Sequence, residues 1–409
     1  MNFYKTGLMA LILLLSLLPA RAGDLPVVHI TTEDGTPITS REEWRKNTLV
    51  CIVTPDGDTL YHSPNTSVKS RGHSTFSKPK KPYTLKLEEA SPLLGMQPHK
   101  RWVLLANFMD HSLLRNSLAL AIARQTSLDW TPDSRLVDVV VNGRSQGCYL
   151  LCEAIRIDKH RVDIDEESGF LLEMDSYPDD AYRFETKHRH LPVNVTSPKD
   201  PTDEQKRYIA NYLNKIEELL YNGSANLDVL YRDYLDMDSL VDWWLIHELT
   251  QNAEPNGPRS CYMYKDKDGL LKAGPVWDFD LAFISVGLDK GGDLRPSRLN
   301  RTDVIRLNGD SLYNRKALWY DRLLQDPTFV HRIQARWKQL APGFRALVDQ
   351  LDAWQTLIEP SALADEALWK GQDPARFDIF TEWRSSVANL KKVYAYRIER
   401  LNQWFTSQE

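Results

Sequence analysis

The stretch GPVWDFDLAF, residues 274–283, places two acids, Asp278 and Asp280, inside an otherwise apolar run. Read as a strand, it points residues two apart to the same side, so the two carboxylates sit together. Adjacent carboxylates repel, and each loses hydration when covered. Three things compensate such a pair: a divalent cation, basic side chains, or open water.

Working outward, CYMYKDKDGLLKA precedes the run and predicts a hairpin with it, turning at Asp268-Gly269. Before that hairpin lies the loop NAEPNGPRS, with Glu254 and Asn256, directly after the helical pattern DMDSLVDWWLIHELTQN. Towards the N-terminus, LPVVHITT, NTLVCIVT, PYTLKL, RWVLLAN and GFLLEMD predict strands. LVDVVVNGRSQGCYLLCEAI predicts two strands turning at Asn142-Gly143. DHSLLRNSLALAIARQ predicts a helix capped by Asp110 or Ser112, and DEQKRYIANYLNKIEELLY a second helix. From about Gly287 to Asn308, Gly, Arg and Asp dominate and predict a loop. From Ser311 on the chain reads as helices rich in Trp and Leu. The sum is an α+β fold with a β-rich N-terminal half and a mainly helical C-terminal half.

Composition bounds the rest. The chain has 409 residues, 42% hydrophobic and 26% charged, with net charge −5. That is a globular balance with enough chain for a large core, and its acidity argues against a nucleic-acid partner. Residues 1–22 combine one Lys, the apolar run LMALILLLSLLP and the small-residue site Ala20-Arg21-Ala22. This predicts a signal peptide cleaved near Ala22 and an exported product without a membrane span. Residues 23–66 then form a β-rich segment, and 67–409 the main domain. The four cysteines, Cys51, Cys148, Cys152 and Cys261, lack zinc-site spacing and read as small buried hydrophobes.

The acids recur in a suggestive company. Phosphoryl transfer needs a carboxylate for the acceptor hydroxyl and hard oxygen donors that hold Mg²⁺ against phosphates. Asp278 and Asp280 supply the donors, and Asp-Phe-Asp resembles the metal-binding Asp-Phe-Gly triplet of protein kinases in role and chain order. Arg71, beside Gly72, together with Lys78, Lys80, Lys81 and Lys86, offers a phosphate-binding cluster. Glu153 lies in the apolar run YLLCEAI and wants a cationic partner, which a Lys–Glu pair would supply. Asn107, Asp110 and Arg115 gather at a strand-to-helix junction. Against these stand plainer readings: a solvated strand end, a basic surface, a helix cap. No HExxH pair or P-loop occurs, and His188 and His190 lack companion ligands.

Taken together, SVKSRGHSTF, KKPYTLKL, RWVLLANFMDHSLLRN, VVVNGRSQGCYLLCEAIRIDKHRV, GFLLEMD, SCYMYKD and GPVWDFDLAF, in this order, resemble the spore-coat-protein-H (CotH) kinase family. The resemblance implies a secreted or surface protein with an atypical protein-kinase-like fold over residues 67–409. It implies ATP- and Mg²⁺-dependent phosphorylation, Mn²⁺ being an alternative metal, of Ser or Thr on a protein acceptor. It implies that Asp278 and Asp280 hold the metal and Glu254 is the catalytic acid. Arg71 with Lys81 or Lys86 would grip the phosphates, and Glu153 would position the lysine. Two departures stand out. Glu254 takes the place of an Asp, and Ser260 stands where the family often has Asn before the Tyr-x-Tyr strand. An inactive surface module that binds a protein or glycan is therefore the alternative.

Overall fold

A computed structural model describes residues 23–178, 180–222, 227–283, 286–288, 294–296, 312–372 and 380–406. The expected signal peptide lies outside the described residues. Seven strands fill the first third: β1 (Val27–Thr31), β2 (Arg45–Val53), β3 (Thr59–Ser70), β4 (Tyr83–Ser91), β5 (His99–Leu105), β6 (Ser134–Val141) and β7 (Arg144–Glu153). They close into a barrel in the order β1-β2-β3-β4-β5-β7-β6. Neighbours run antiparallel except β1 and β6, whose parallel pairing shuts the ring. Strand alternation fills it. In β4, Tyr83, Leu85 and Leu87 point inward and Lys86 outward. Val28 of β1, Val50 and Ile52 of β2 and Trp102 of β5 complete the plug. Asn142 and Gly143 both have positive φ, 48° and 74°, as a two-residue hairpin turn between twisted strands requires.

Strands β5 and β7 are apolar on both faces because they serve two cores. Trp102, Leu104, Tyr149 and Leu151 face the barrel interior, while Val103, Cys148, Leu150 and Cys152 join the larger core outside it. That core lies against a second sheet, ordered β12-β11-β8-β10-β9, made from β8 (Phe170–Met174), β9 (Arg183–Glu185), β10 (Pro192–Ser197), β11 (Cys261–Lys265) and β12 (Lys272–Ala273). Around it pack α1 (Arg115–Ala123), α2 (Asp203–Tyr221), α3 (Leu227–Asp233) and α4 (Met237–Thr250). Thr202 and Gln205 form a capping box on α2. Helix α4 has no polar face: twelve of its residues, from Ser239 to Thr250, are buried. It ends at Gln251, whose left-handed φ of 48° turns the chain towards Asn252 and Glu254.

The C-terminal third is helical, as its Trp- and Leu-rich pattern predicts: α5 (Tyr320–Leu323), α6 (Pro327–Trp369) and α7 (Trp383–Thr406). Helix α6 reaches back to the barrel. Its Asp365 accepts hydrogen bonds from the fully buried Lys80 ammonium and from the Cys148 amide (2.9 Å), and Ser361 donates to Asp138 (2.7 Å). The mixed α+β class holds, with the N-terminal sheet closed as a barrel. Residues 23–66 supply β1, β2 and the start of β3 to that barrel. All four cysteines are free thiols, Cys51 half-buried and the others buried.

Two local expectations need correction. The hairpin strand β12 stops at Ala273, so residues 274–283 are not a strand and period two does not place their acids. In the stretch expected to be a loop after Gly287, the short strands β13 (Val286–Leu288) and β14 (Leu294–Pro296) pair with each other, and its other residues lie outside the described ones.

Candidate functional site

Side chains from three directions, rather than a sheet ladder, fix the Asp-Phe-Asp triplet. Asp278 adopts a left-handed φ of 59°, and its carbonyl accepts from the Asn252 side-chain amide at 3.1 Å. Asn116, on the first turn of α1, accepts from the Phe279 amide (2.9 Å) and donates to the Asp280 carboxylate (2.6 Å). Arg115 donates to the Asp280 carbonyl (3.0 Å), and the Phe283 amide donates to the Thr250 carbonyl at the end of α4 (2.6 Å). Between the acids, Phe279 is fully buried and stacks on His247 of α4 with ring centroids 5.3 Å apart. Asp110 does not cap α1 from the adjacent position. Its carboxylate instead receives the amides of Ser112 (2.9 Å) and Arg115 (2.8 Å), which holds the loop that presents Asn116.

The other acids converge from the second sheet and the turn after α4. Glu254 opens a short 3₁₀ turn, is 6% exposed, and pairs with Arg259 at 2.6 Å. Asp175, at the end of β8, accepts from the Ser260 amide at 2.8 Å. Burial, then the charge of Asp278, pushes the Glu254 carboxyl up to about 8 against the pull of Arg259, with Asp175 and Asp280 adding to the rise. Burial, then Asp278 and Asp110, pushes Asp280 up to about 7, opposed by Asn116 and Arg115. Burial raises Asp278 as well, and Arg71 opposes it. Arg71 lies over the Trp277 ring, 5.6 Å from its centroid. The protein thus gathers negative charge here faster than it neutralises it.

The remaining expected phosphate-side residues lie elsewhere. Lys81 donates to the Phe76 carbonyl (2.6 Å) and covers the Phe76 ring, and burial lowers its pKa. Lys86 is exposed on the outer face of β4, opposite Arg101. Among the described residues no lysine pairs with Glu153: one oxygen accepts from the Asp133 amide (3.0 Å), burial raises its pKa, and Arg161 is a cationic neighbour that opposes the rise. The buried lysine of the cluster is Lys80, paired with Asp365. Sequence reading missed four contributors: Asn116, Asp175, Asn252 and Arg259. All stood in stretches already singled out. Asn116 ends RWVLLANFMDHSLLRN, Asp175 ends GFLLEMD, and Asn252 and Arg259 lie in the loop NAEPNGPRS. Nothing in their spacing marked them, because their partners are far away in the chain or fixed by the folded loop.

Among the described residues, no group of three or more His, Cys, Asp and Glu side chains forms a self-sufficient metal cage. The donor chemistry fits Mg²⁺ nonetheless. That ion is commonly held by one or two carboxylates, with water and substrate phosphates completing its shell. Asp278 and Asp280 offer two hard oxygen donors whose raised pKa values mark a deficit of positive charge. A family model described as CotH kinase protein matches residues 68–401, and no curated protein matches the chain.

Proposed function

The chain belongs to the CotH kinase protein family, and from that premise we propose that it is an exported, ATP- and Mg²⁺-dependent kinase that phosphorylates Ser or Thr on a surface or secreted protein. The proposal includes a protein-kinase-like division of labour between the barrel and the second sheet. One observation carries it: three acids with raised pKa values, Glu254, Asp278 and Asp280, share a site with Arg71 and Trp277. Export rests on the leader-like composition of residues 1–22.

In this reading Asp278 and Asp280 hold Mg²⁺. When bound, the ion would offset the charge of the phosphates and of the transferring group. Asn116 and Asn252 keep the two acids in place, one through the Asp280 carboxylate and the other through the Asp278 carbonyl. Arg71 faces the phosphates with its guanidinium, and Trp277 beneath it fixes the orientation of that plane. Glu254 accepts the proton of the acceptor hydroxyl at its carboxylate oxygen. A carboxyl near 8 is well matched to that task at neutral pH once ionised. Its longer side chain reaches the hydroxyl from the turn after α4, where Arg259 steadies it.

The Glu254–Arg259 pair also favours a second reading, in which the acid is permanently engaged and the protein is a non-catalytic module that binds a protein or glycan. Calorimetric titration of ATP with and without Mg²⁺ or Mn²⁺ separates the two, using wild type and Asp278→Ala. Metal-dependent binding that Asp278→Ala removes, followed by transfer of the γ-phosphate to protein, supports the kinase. Absence of nucleotide binding with every metal refutes it and leaves the binding module.

A further inference from the structure

Outside the acid site, the outer face of the barrel carries cations that the fold leaves without carboxylate partners. Val68 and Ser70 of β3 point inward and are fully buried, so Lys69 and Arg71 share the outward face. Lys69 lies opposite Thr84, and Lys86 opposite Arg101 on the next strand pair. Lys69 and Arg101 both stack on the Trp44 ring, 5.1 and 4.6 Å from its centroid. Arg156, just beyond β7, and Lys199, just beyond β10, extend the group across the junction with the second sheet. Burial lowers the pKa of Lys69; Glu42 opposes that shift, and Arg101, Lys199 and Arg156 reinforce it. Burial and then Arg156 lower that of Arg101.

Several cations elsewhere are paired with acids. Arg332 meets Asp238, Arg336 meets Asp242 and Arg384 meets Glu359. None of Lys69, Lys86, Arg101, Arg156 and Lys199 forms an ion pair with a carboxylate among the described residues. On a chain of net charge −5, gathering five such cations near one another, two of them against the Trp44 indole, costs self-repulsion that an anionic partner relieves.

We propose that this face of β3, β4 and β5, centred on Trp44, Lys69 and Arg101, is a docking surface for an acidic, carboxylate-rich segment of a protein. Its position defines the partner. Lys69 is one strand repeat, about 7 Å, from Arg71, and Arg71 in turn covers Trp277 beside Asp278. A segment seated on Lys69 and Arg101 therefore continues into the acid site, which makes it part of the phosphoryl acceptor. That last step rests on the kinase reading, whereas the docking itself does not. Lys69 and Arg101 are half-buried against Trp44, so a flat bilayer reaches only the exposed Lys86 and Lys199. An extended peptide sets its side chains at a spacing that matches alternate strand residues.

The test is fluorescence anisotropy of a labelled oligoglutamate peptide with the full-length protein, at ~0.05 and ~0.5 M salt. Oligolysine, a heparin fragment and phosphatidylserine vesicles serve as comparators. Binding of oligoglutamate that weakens with salt, and that falls about tenfold or more in Lys69→Glu/Arg101→Glu/Lys199→Glu, is expected. A milder Lys86→Glu/Lys199→Glu variant changes only exposed positions and is expected to lose affinity in the same direction with an unchanged melting curve. Asp278→Ala should keep oligoglutamate binding while losing phosphoryl transfer, so failure of docking and failure of the kinase reading are told apart. Oligoglutamate binding no tighter than oligolysine overturns the proposal. So does preferential binding of heparin or vesicles, or full affinity in both charge-reversed variants.

Discussion

Replacing Glu254 with Gln should stabilise the metal-free protein, and increasingly so as pH rises. The ordinary value for a Glu carboxyl is 4.5, and in the folded chain burial and Asp278 raise Glu254 to about 8. Between these values the folded chain keeps a proton that the unfolded chain releases. Its stabilising effect is full below about pH 4.5 and is lost as pH rises towards 8. From pH 5 to pH 7 two units accumulate, at about 1.4 kcal/mol each, or about 3 kcal/mol of stability forfeited by the wild type. Gln carries no such proton and escapes the loss, and because the folded wild type keeps Glu254 protonated below about pH 8, no charge pairing with Arg259 is given up over this range. Unfolding entropy of ~2.1 cal/mol/K per residue over 409 residues makes that about 3 °C in melting temperature. Thermal melts of both proteins in chelator at pH 5, 6 and 7 measure it. The two curves should diverge with pH. Parallel curves would mean that Glu254 ionises as an ordinary surface acid, and the charge-deficient site would lose its main support.

Adding Mg²⁺ at pH 7.5 should raise the melting temperature of wild type, less so at pH 5 where Asp280 and Glu254 are protonated, and leave Asp278→Ala unmoved; differential scanning fluorimetry reads all three. Asn116→Ala should weaken metal-dependent nucleotide binding by roughly tenfold or more, because Asp280 and the Phe279 amide lose their common holder, and calorimetry measures it. Gly147→Ala should destabilise by about 3 kcal/mol or more in urea titrations. Its φ is +87°, and an added Cβ would collide with the Asp365 carboxylate that anchors α6 to the barrel.

The legible parts of this molecule are those encoded by local pattern. The inward and outward residues of PYTLKL, the Asn142-Gly143 turn and the helical period of α2 each depend on neighbours within a few positions, so the sequence displays them directly. Of the expected site residues, those that the structure brings together, Asp278, Asp280, Glu254 and Arg71, stood out by chemical type and, for Arg71, by its place beside Gly72. Partnership at long range was not legible. Lys80 and Lys81 are adjacent in a basic run, yet one is sealed against Asp365, far along α6, and the other against Phe76. Nothing in KPKKPY distinguishes them, because the difference is made by a helix that arrives from the other end of the chain. Glu153 illustrates the same limit: a buried acid demands compensation, but the pattern does not say whether it comes from a lysine, an arginine or a backbone amide.

The reading of GPVWDFDLAF as a strand shows why a right conclusion about proximity does not certify its premise. Alternation would have set Asp278 and Asp280 on one side of a ladder, with their backbones satisfied by a neighbouring strand. Instead the Asp278 carbonyl, the Phe279 amide and the Asp280 carbonyl are each satisfied by a side chain, from Asn252, Asn116 and Arg115. Asn116 and Arg115 begin α1, the helix that follows β5 of the barrel, and Asn252 follows α4, which packs against β12 of the second sheet. Helices α1 and α4 pack against each other in the larger core, so the two acids are held by one helix pair rather than by a neighbouring strand. A change in how α1 sits on α4 would move Asn116 and Asn252 relative to each other and pull on the two acids in different directions.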